Sequence, residues 1–229
     1  MVKYKRESTE LAKKAQLSLE KEKRAGETYN TKEVFDVLKE MFHNKCYICE
    51  NKNITSYEIE HFIPHKGNVE LKYQWSNLFL SCRHCNQIKG LRYEGIIDCT
   101  KEAADDKIAF RVKDFLRNKD EIEIVALEKT EKILKTCQLL RDVYYGNTPE
   151  KRLEASNTRR ELRKSVSKFS GLVRDYIDSE GEDKEDYKCE IKRELKNNSE
   201  YTAFKRWVIR DCEEVFNDFE DYLEMISNG

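Results

Sequence analysis

Between residues 31 and 42 the apolar side chains Val34, Phe35, Leu38 and Phe42 recur at helical spacing, behind Thr31, which is suited to cap a first turn. This predicts a helix. The pattern then shortens: residues 54–62 and 78–81 read as short strands, and a helix begins near Cys85 and runs through Lys89. Beyond residue 100 two further strands are predicted, 108–112 and 122–127. After them the helical period returns over 129–145, 149–177, 185–196 and 200–226. Pro149 suits the first turn of its helix, with Thr148 as cap. The run SEGEDKED, 179–186, is charged and poor in apolar residues and reads as an exposed loop.

This reading gives a mainly α protein with a small α+β module, in three regions. Residues 1–45 hold a charged N-terminal segment and a helix, residues 46–100 the α+β module, and residues 101–229 a mostly helical region. No internal repeat is visible. Only two prolines occur, and glycine is scarce, as in helix-rich chains.

Composition adds little and excludes some classes. Hydrophobic and charged residues each make up 38% of the 229 residues, which predicts a soluble protein with long solvated helix faces. No apolar run is long enough to span a bilayer. The N-terminus MVKYKREST lacks the apolar stretch of a secretory signal, so a cytoplasmic protein with no membrane contact is expected. The net charge of −1 says little about partners, but its distribution says more. Basic residues dominate 129–174 and acidic ones dominate from residue 178 onward. The basic segment suits either a phosphate backbone or a solvated face balanced by neighbouring acids.

The eight cysteines fall unevenly. Cys46 and Cys49 form one C-x-x-C pair and Cys82 and Cys85 another, whereas Cys99, Cys137, Cys189 and Cys212 are scattered and read as reduced thiols. Each knuckle presents two sulfurs from one tight turn, so two of them close a tetrahedral site suited to structural zinc, with no position left for a reacting water. A redox pair is the alternative, and two matched pairs speak against it.

A second constellation lies between the knuckles: Tyr57-Glu58-Ile59-Glu60-His61-Phe62-Ile63-Pro64-His65, then Trp75-Ser76-Asn77-Leu78, then Asn86 directly after the last knuckle cysteine. Together with the cysteines this resembles the HNH (ββα-metal) endonuclease family in its zinc-stabilised form. The resemblance covers about a quarter of the chain by its motifs. It implies a zinc-stabilised HNH core embedded in a helical domain, and an enzyme that hydrolyses DNA phosphodiester bonds. It casts His61 as general base, Glu60 and Asn86 as ligands of a catalytic Mg²⁺ or Mn²⁺, and Asn77 as the residue that holds the loop and orients the base. The imidazole's ordinary pKa suits proton abstraction near neutrality, and oxygen ligands suit hard divalent ions. Two departures bear on metal geometry: Glu60 stands where aspartate is more usual, and Asn86 where histidine is commoner.

Other residues carry weaker expectations. Lys89 falls one turn after Asn86 and could meet a phosphate, or be a solvated helix lysine. His84, inside a knuckle, is expected to be exposed. His65 reads as loop surface that could touch substrate, Trp75 as core rather than a base-stacking platform, and His43 has no assigned role.

The wider arrangement is similar to the HNH nuclease subunit of Septu-type bacterial anti-phage systems, some of which accompany retrons. It runs from Leu17 to Lys23 (LSLEKEK), through the knuckle at Lys45 to Glu50, to Leu139 through Asn147 (LLRDVYYGN) and a basic helix. That resemblance implies phage DNA as target and an ABC/SMC-like ATPase as partner. The chain has no G-x-x-x-x-G-K-[ST] loop of its own. Phe204, Trp207, Val208, Phe216 and Phe219 could dock such a partner or simply pack the helical region. A stand-alone restriction-type HNH enzyme and a non-catalytic zinc-ribbon module are the competing readings.

Overall fold

The computed structural model describes residues 1–113 and 122–228. Two N-terminal helices, α1 (Glu10–Ala25) and α2 (Lys32–Met41), lead into the first cysteine knuckle. Strand β1 (Tyr57–His61) follows, then a long connection holding a short helix α3 (Val69–Tyr73) and a 3-10 turn (Trp75–Asn77). Strand β2 (Leu78–Cys82) runs straight into helix α4 (Arg83–Lys89). β1 and β2 pair antiparallel, with Tyr57 opposite Cys82 and His61 opposite Leu78. These two strands and α4 make a ββα unit.

A second antiparallel pair, β3 (Ile108–Val112) and β4 (Ile122–Ala126), precedes the helices α5 (Glu131–Tyr145), α6 (Pro149–Asp178), α7 (Gly181–Glu194), α8 (Thr202–Arg210) and α9 (Glu213–Asn228). The chain is thus mostly helical with two small sheets, as its residue pattern predicts.

Local chemistry accounts for the helix ends. Thr9, Thr31, Thr130 and Thr148 each accept a backbone N–H three residues on, starting α1, α2, α5 and α6. Gly26 closes α1 at φ 72°, a left-handed conformation that glycine adopts without penalty.

The main core runs through all three sequence regions. Leu38 and Phe42 of the α2 end, Tyr47 of the knuckle, Leu78 to Leu80 of β2, Leu139 and Leu140 of α5, and Phe204 of α8 belong to one buried cluster. A smaller cluster joins the far half of α6 to α7, α8 and α9 through Phe169, Tyr176, Ile191 and Phe219. The ββα unit therefore sits inside a helical frame. One fastening is a buried ion pair, Arg206 Nη1 to Asp105 Oδ2 at 3.0 Å, that ties α8 to the turn before β3. Another is Arg6, which donates to the carbonyls of Trp75 at 3.2 Å and Leu78 at 2.8 Å and lies over the Phe79 ring.

Three elements differ from expectation. The N-terminal segment folds into α1, whose buried stripe is only Ala12, Ala15 and Leu19 among lysines and glutamates. The predicted loop 179–186 is mostly the start of α7, where Glu182 and Asp183 favour the positive end of the helix dipole. The predicted helix 200–226 is two helices, broken at Asp211, whose carboxylate accepts both Nε and Nη2 of Arg111 on β3 at 2.7 and 2.8 Å. The C-terminal aromatics face inward: Phe204, Trp207 and Phe219 are buried, and Val208 and Phe216 pack against the smaller cluster.

Candidate active site and metal centre

The four paired cysteines converge. Cys46 and Cys49 lie on the turn after α2, Cys82 ends β2 and Cys85 is in the first turn of α4; their sulfurs all lie within 4.8 Å of one another. Cys49 Sγ and Cys82 Sγ are 4.0 Å apart. A tetrahedral zinc with bonds of about 2.3 Å sets its sulfurs roughly 3.8 Å apart, so this cluster fits the ion with little movement. The first knuckle is closed by the Glu50 N–H on the Cys46 carbonyl (2.8 Å) and fastened to β2 by the Tyr47 N–H on the Leu80 carbonyl (3.0 Å). In the second knuckle Cys82 Sγ caps α4, accepting the Cys85 N–H at 3.5 Å.

The knuckle is anchored from outside by Glu50. Its buried carboxylate accepts the backbone N–H groups of Val2 (2.6 Å) and Ala203 (2.9 Å). Burial alone would raise its pKa; the nearby amino group, Lys45 and these two N–H groups overcome that and hold it at about 2.

The alternation of β1 sorts its side chains. Glu58 and Glu60 point to one face and His61 to the other. On the first face, α4 presents Asn86 and Lys89, three residues apart and hence neighbours on one side of the helix. Asn86 Nδ2 donates to Glu58 Oε2 at 2.7 Å. Lys89 Nζ donates to the His61 carbonyl at 3.0 Å and stands 3.7 Å from Glu60 Oε2. Among the described residues no hydrogen bond joins Asn86 to Glu60.

Glu60 is deep in the molecule. Its Oε1 accepts the Tyr47 hydroxyl, its Oε2 has no hydrogen-bond partner, and only 3% of the residue is exposed. Burial pushes its pKa up to about 7, against the opposing pull of Lys89 and Tyr47. Lys89 is also buried, at 1% exposure, with its ammonium turned inward. The expected solvent-facing lysine is thus an internal strut between α4 and β1.

His61 is half-buried. Its Nε2 lies 2.9 Å from the Lys72 carbonyl, and its ring meets the edges of Tyr29 and His65 at centroid distances of 4.5 and 4.7 Å. A carbonyl can only accept, so Nε2 carries the proton and the neutral ring keeps a lone pair at Nδ1. Burial lowers the His61 pKa below its ordinary 6.5, more than the Lys72 contact raises it.

Asn77 fixes the loop that carries this partner. Its Oδ1 accepts the Ile63 N–H at 2.7 Å, and its Nδ2 donates to the carbonyls of Ile63 (2.8 Å) and Leu71 (3.1 Å). The loop turns through Lys66 and Gly67, both at positive φ, and His65 Nδ1 accepts the Gly67 N–H at 3.2 Å. Trp75 is half-buried, with the Arg6 guanidinium over its ring.

Two residues were passed over in sequence. Glu58 shares a strand face with Glu60 by simple alternation, a signal the motif pattern hides. Tyr47 reads as a spacer inside the first knuckle, yet it supplies the partner of Glu60. His84 is also placed differently: its Nε2 meets the Val143 carbonyl and its Nδ1 meets Glu154 Oε2, each at 2.8 Å. It clamps α4 to α5 and α6 with its side chain only 11% exposed, because those helices cover the knuckle.

Residues 46–92 match the HNH endonuclease family model. The chain carries an HNH endonuclease domain. This HNH domain spans both knuckles and the whole ββα unit, and leaves the helical frame outside the match. Among curated proteins the chain is similar to a Septu protein PtuB of Bacillus mycoides (strain KBAB4), 42% identical over 27% of this chain and 26% of that protein. It is also similar to a Septu protein PtuB of Bacillus thuringiensis, 31% identical over 42% of each. The chain thus spans between about a quarter and two fifths of the length of the curated relatives it matches. No solved structure matches it. Among the described residues no helix is long and apolar enough to cross a membrane.

Proposed function

We propose that this chain is a metal-dependent endonuclease that hydrolyses DNA phosphodiester bonds with His61 as general base. We place it in bacterial anti-phage defence, acting in the cytoplasm on phage DNA beside an ABC/SMC-like ATPase. The defence setting rests on the similarity to the Septu proteins. The chemistry rests on one observation above all: His61 ends β1 with Nε2 engaged by the Lys72 carbonyl and Nδ1 left as a free base.

In this reading His61 Nδ1 removes the proton from the attacking water. The imidazolium that forms keeps its Nε2–H on the Lys72 carbonyl, and that bond strengthens as the charge appears. Asn77 keeps the 63–71 loop, and with it the Lys72 carbonyl, in place. The four cysteines hold zinc as scaffold, consistent with four convergent thiols. Asn86 and a carboxylate from the α4-facing side of β1 hold Mg²⁺ or Mn²⁺, whose hard-oxygen preference matches an amide and carboxylates. That ion, when bound, polarises the scissile phosphate and eases departure of the leaving oxygen.

The test is cleavage of duplex and single-stranded DNA by the zinc-loaded protein, alone and with the ATPase, in Mg²⁺, Mn²⁺ or chelator. Cutting is expected only with a divalent ion. It should vanish in His61→Ala while zinc content and circular dichroism stay unchanged. Absence of cutting under every metal, DNA form and partner condition overturns the reading.

A further inference from the structure

We infer that Glu58, outside the acid-His-x-x-Pro pattern, is the carboxylate that shares the exchangeable divalent cation with Asn86, and that Glu60 is committed to holding β1 in place. The inference deepens the nuclease reading and rests on it.

The first ground is the Asn86–Glu58 contact. A carboxylate can only accept, so the atom of Asn86 that meets Glu58 Oε2 at 2.7 Å is its NH₂ group. This orients the amide and frees Oδ1, the only atom through which asparagine ligates a cation. Glu58 and Asn86 thus form one oxygen-bearing unit across the β1–α4 seam.

The second ground is access. A cation that exchanges with solvent and meets a DNA phosphate must reach its ligands. The Glu58 side chain is 33% exposed, whereas that of Glu60 is 2% exposed.

The third ground is the charge beside each carboxylate. Glu60 Oε1 already accepts the Tyr47 hydroxyl, and Oε2 faces the buried Lys89 ammonium at 3.7 Å. A divalent ion on Oε2 would stand against that ammonium in a medium that screens poorly, and Lys89 could not withdraw without losing the His61 carbonyl. The cation beside Glu58 is the Arg83 guanidinium, 4.0 Å away on a side chain 67% exposed, which can swing into water. Mg²⁺ and Mn²⁺ keep several waters and are commonly held by one or two protein oxygens, so a Glu58–Asn86 pair suffices.

The test reads metal binding directly, in the zinc-loaded full chain, by the electron paramagnetic resonance signal of free Mn²⁺ during titration. Glu58→Gln should weaken Mn²⁺ by about tenfold or more, as Asn86→Ala does, while Glu60→Gln keeps the wild-type affinity. Glu58→Asp, which retains a carboxylate, should recover part of the loss. The inference is overturned if Glu58→Gln binds Mn²⁺ like wild type, or if Glu60→Gln loses as much affinity as Asn86→Ala. If Glu60→Gln does not fold, Glu58→Gln, Glu58→Asp and Asn86→Ala still decide. Failure of the nuclease reading looks different: Mn²⁺ binding that depends on Glu58 in a protein that cuts no DNA keeps the metal assignment and removes the activity. A protein that cuts DNA and binds Mn²⁺ regardless of Glu58 does the reverse.

Discussion

The Tyr47 hydroxyl donates to Glu60 Oε1, so a residue inside the first cysteine knuckle holds the carboxylate that directly precedes His61. The knuckle and β1 are therefore one mechanical unit. Tyr47→Phe leaves a buried carboxylate oxygen without a partner and should cost about 1–3 kcal/mol in denaturant unfolding of the zinc-loaded protein. Glu60→Met removes the other half of the bond. A double-mutant cycle should return a coupling of roughly 0.5–3 kcal/mol, and a coupling near zero would show that the contact does not matter.

Glu60 also gives stability a pH dependence of definite sign. Its pKa is about 7 in the folded protein against an ordinary 4.5. The folded state then binds the proton more tightly than the unfolded chain. Stability is highest below 4.5, falls as pH rises through the window from 4.5 to 7, and levels off above it. The full penalty is on the order of 3 kcal/mol. Urea unfolding of wild type and Glu60→Gln across this window, without added divalent ions, isolates the effect, because other groups cancel in the difference. Parallel curves for the two proteins would refute it.

The cysteine cluster was legible in the sequence because each knuckle is a local turn, and spacing alone brings its sulfurs together. The strands and α5 and α6 were legible for the same reason: caps such as Thr130 and Thr148 and a sustained apolar period are local signals. The pairing of Asn86 with Glu58 was not, since it depends on which carboxylate of β1 the packed α4 happens to face. Lys89 and His84 were read as exposed because they are polar. They are buried because β1 and the helices α5 and α6 close over them, a long-range event that no local pattern carries. α1 was missed because its buried stripe is two alanines and a leucine. The break between α8 and α9 was missed because neither proline nor glycine marks it.

Burial keeps His61 below its ordinary pKa of 6.5, so a base that must be neutral is ready below that pH. Cleavage should rise with pH along an acid limb whose midpoint lies under 6.5, then level off. His61→Ala should lose about 10²–10⁴ in rate, and any residual activity should lack that limb. A limb of unchanged midpoint in the variant would assign the titration to another group.

Asn77 reaches His61 only through the loop, which makes its replacement informative. Its amide satisfies the Ile63 N–H and the carbonyls of Ile63 and Leu71, and it is nearly buried. Asn77→Ala strands those groups and should cost about 1–3 kcal/mol of stability. It should also lower kcat, because the Lys72 carbonyl that orients His61 lies directly after Leu71. Asn77→Asp tests the direction of the bonds. It keeps an acceptor for the Ile63 N–H but sets a carboxylate against two carbonyl oxygens, so it should be more damaging than alanine, with zinc content unchanged in both. If Asn77→Asp retains wild-type stability and kcat, the amide's two donated bonds do not hold the loop, and the orientation of His61 has another source.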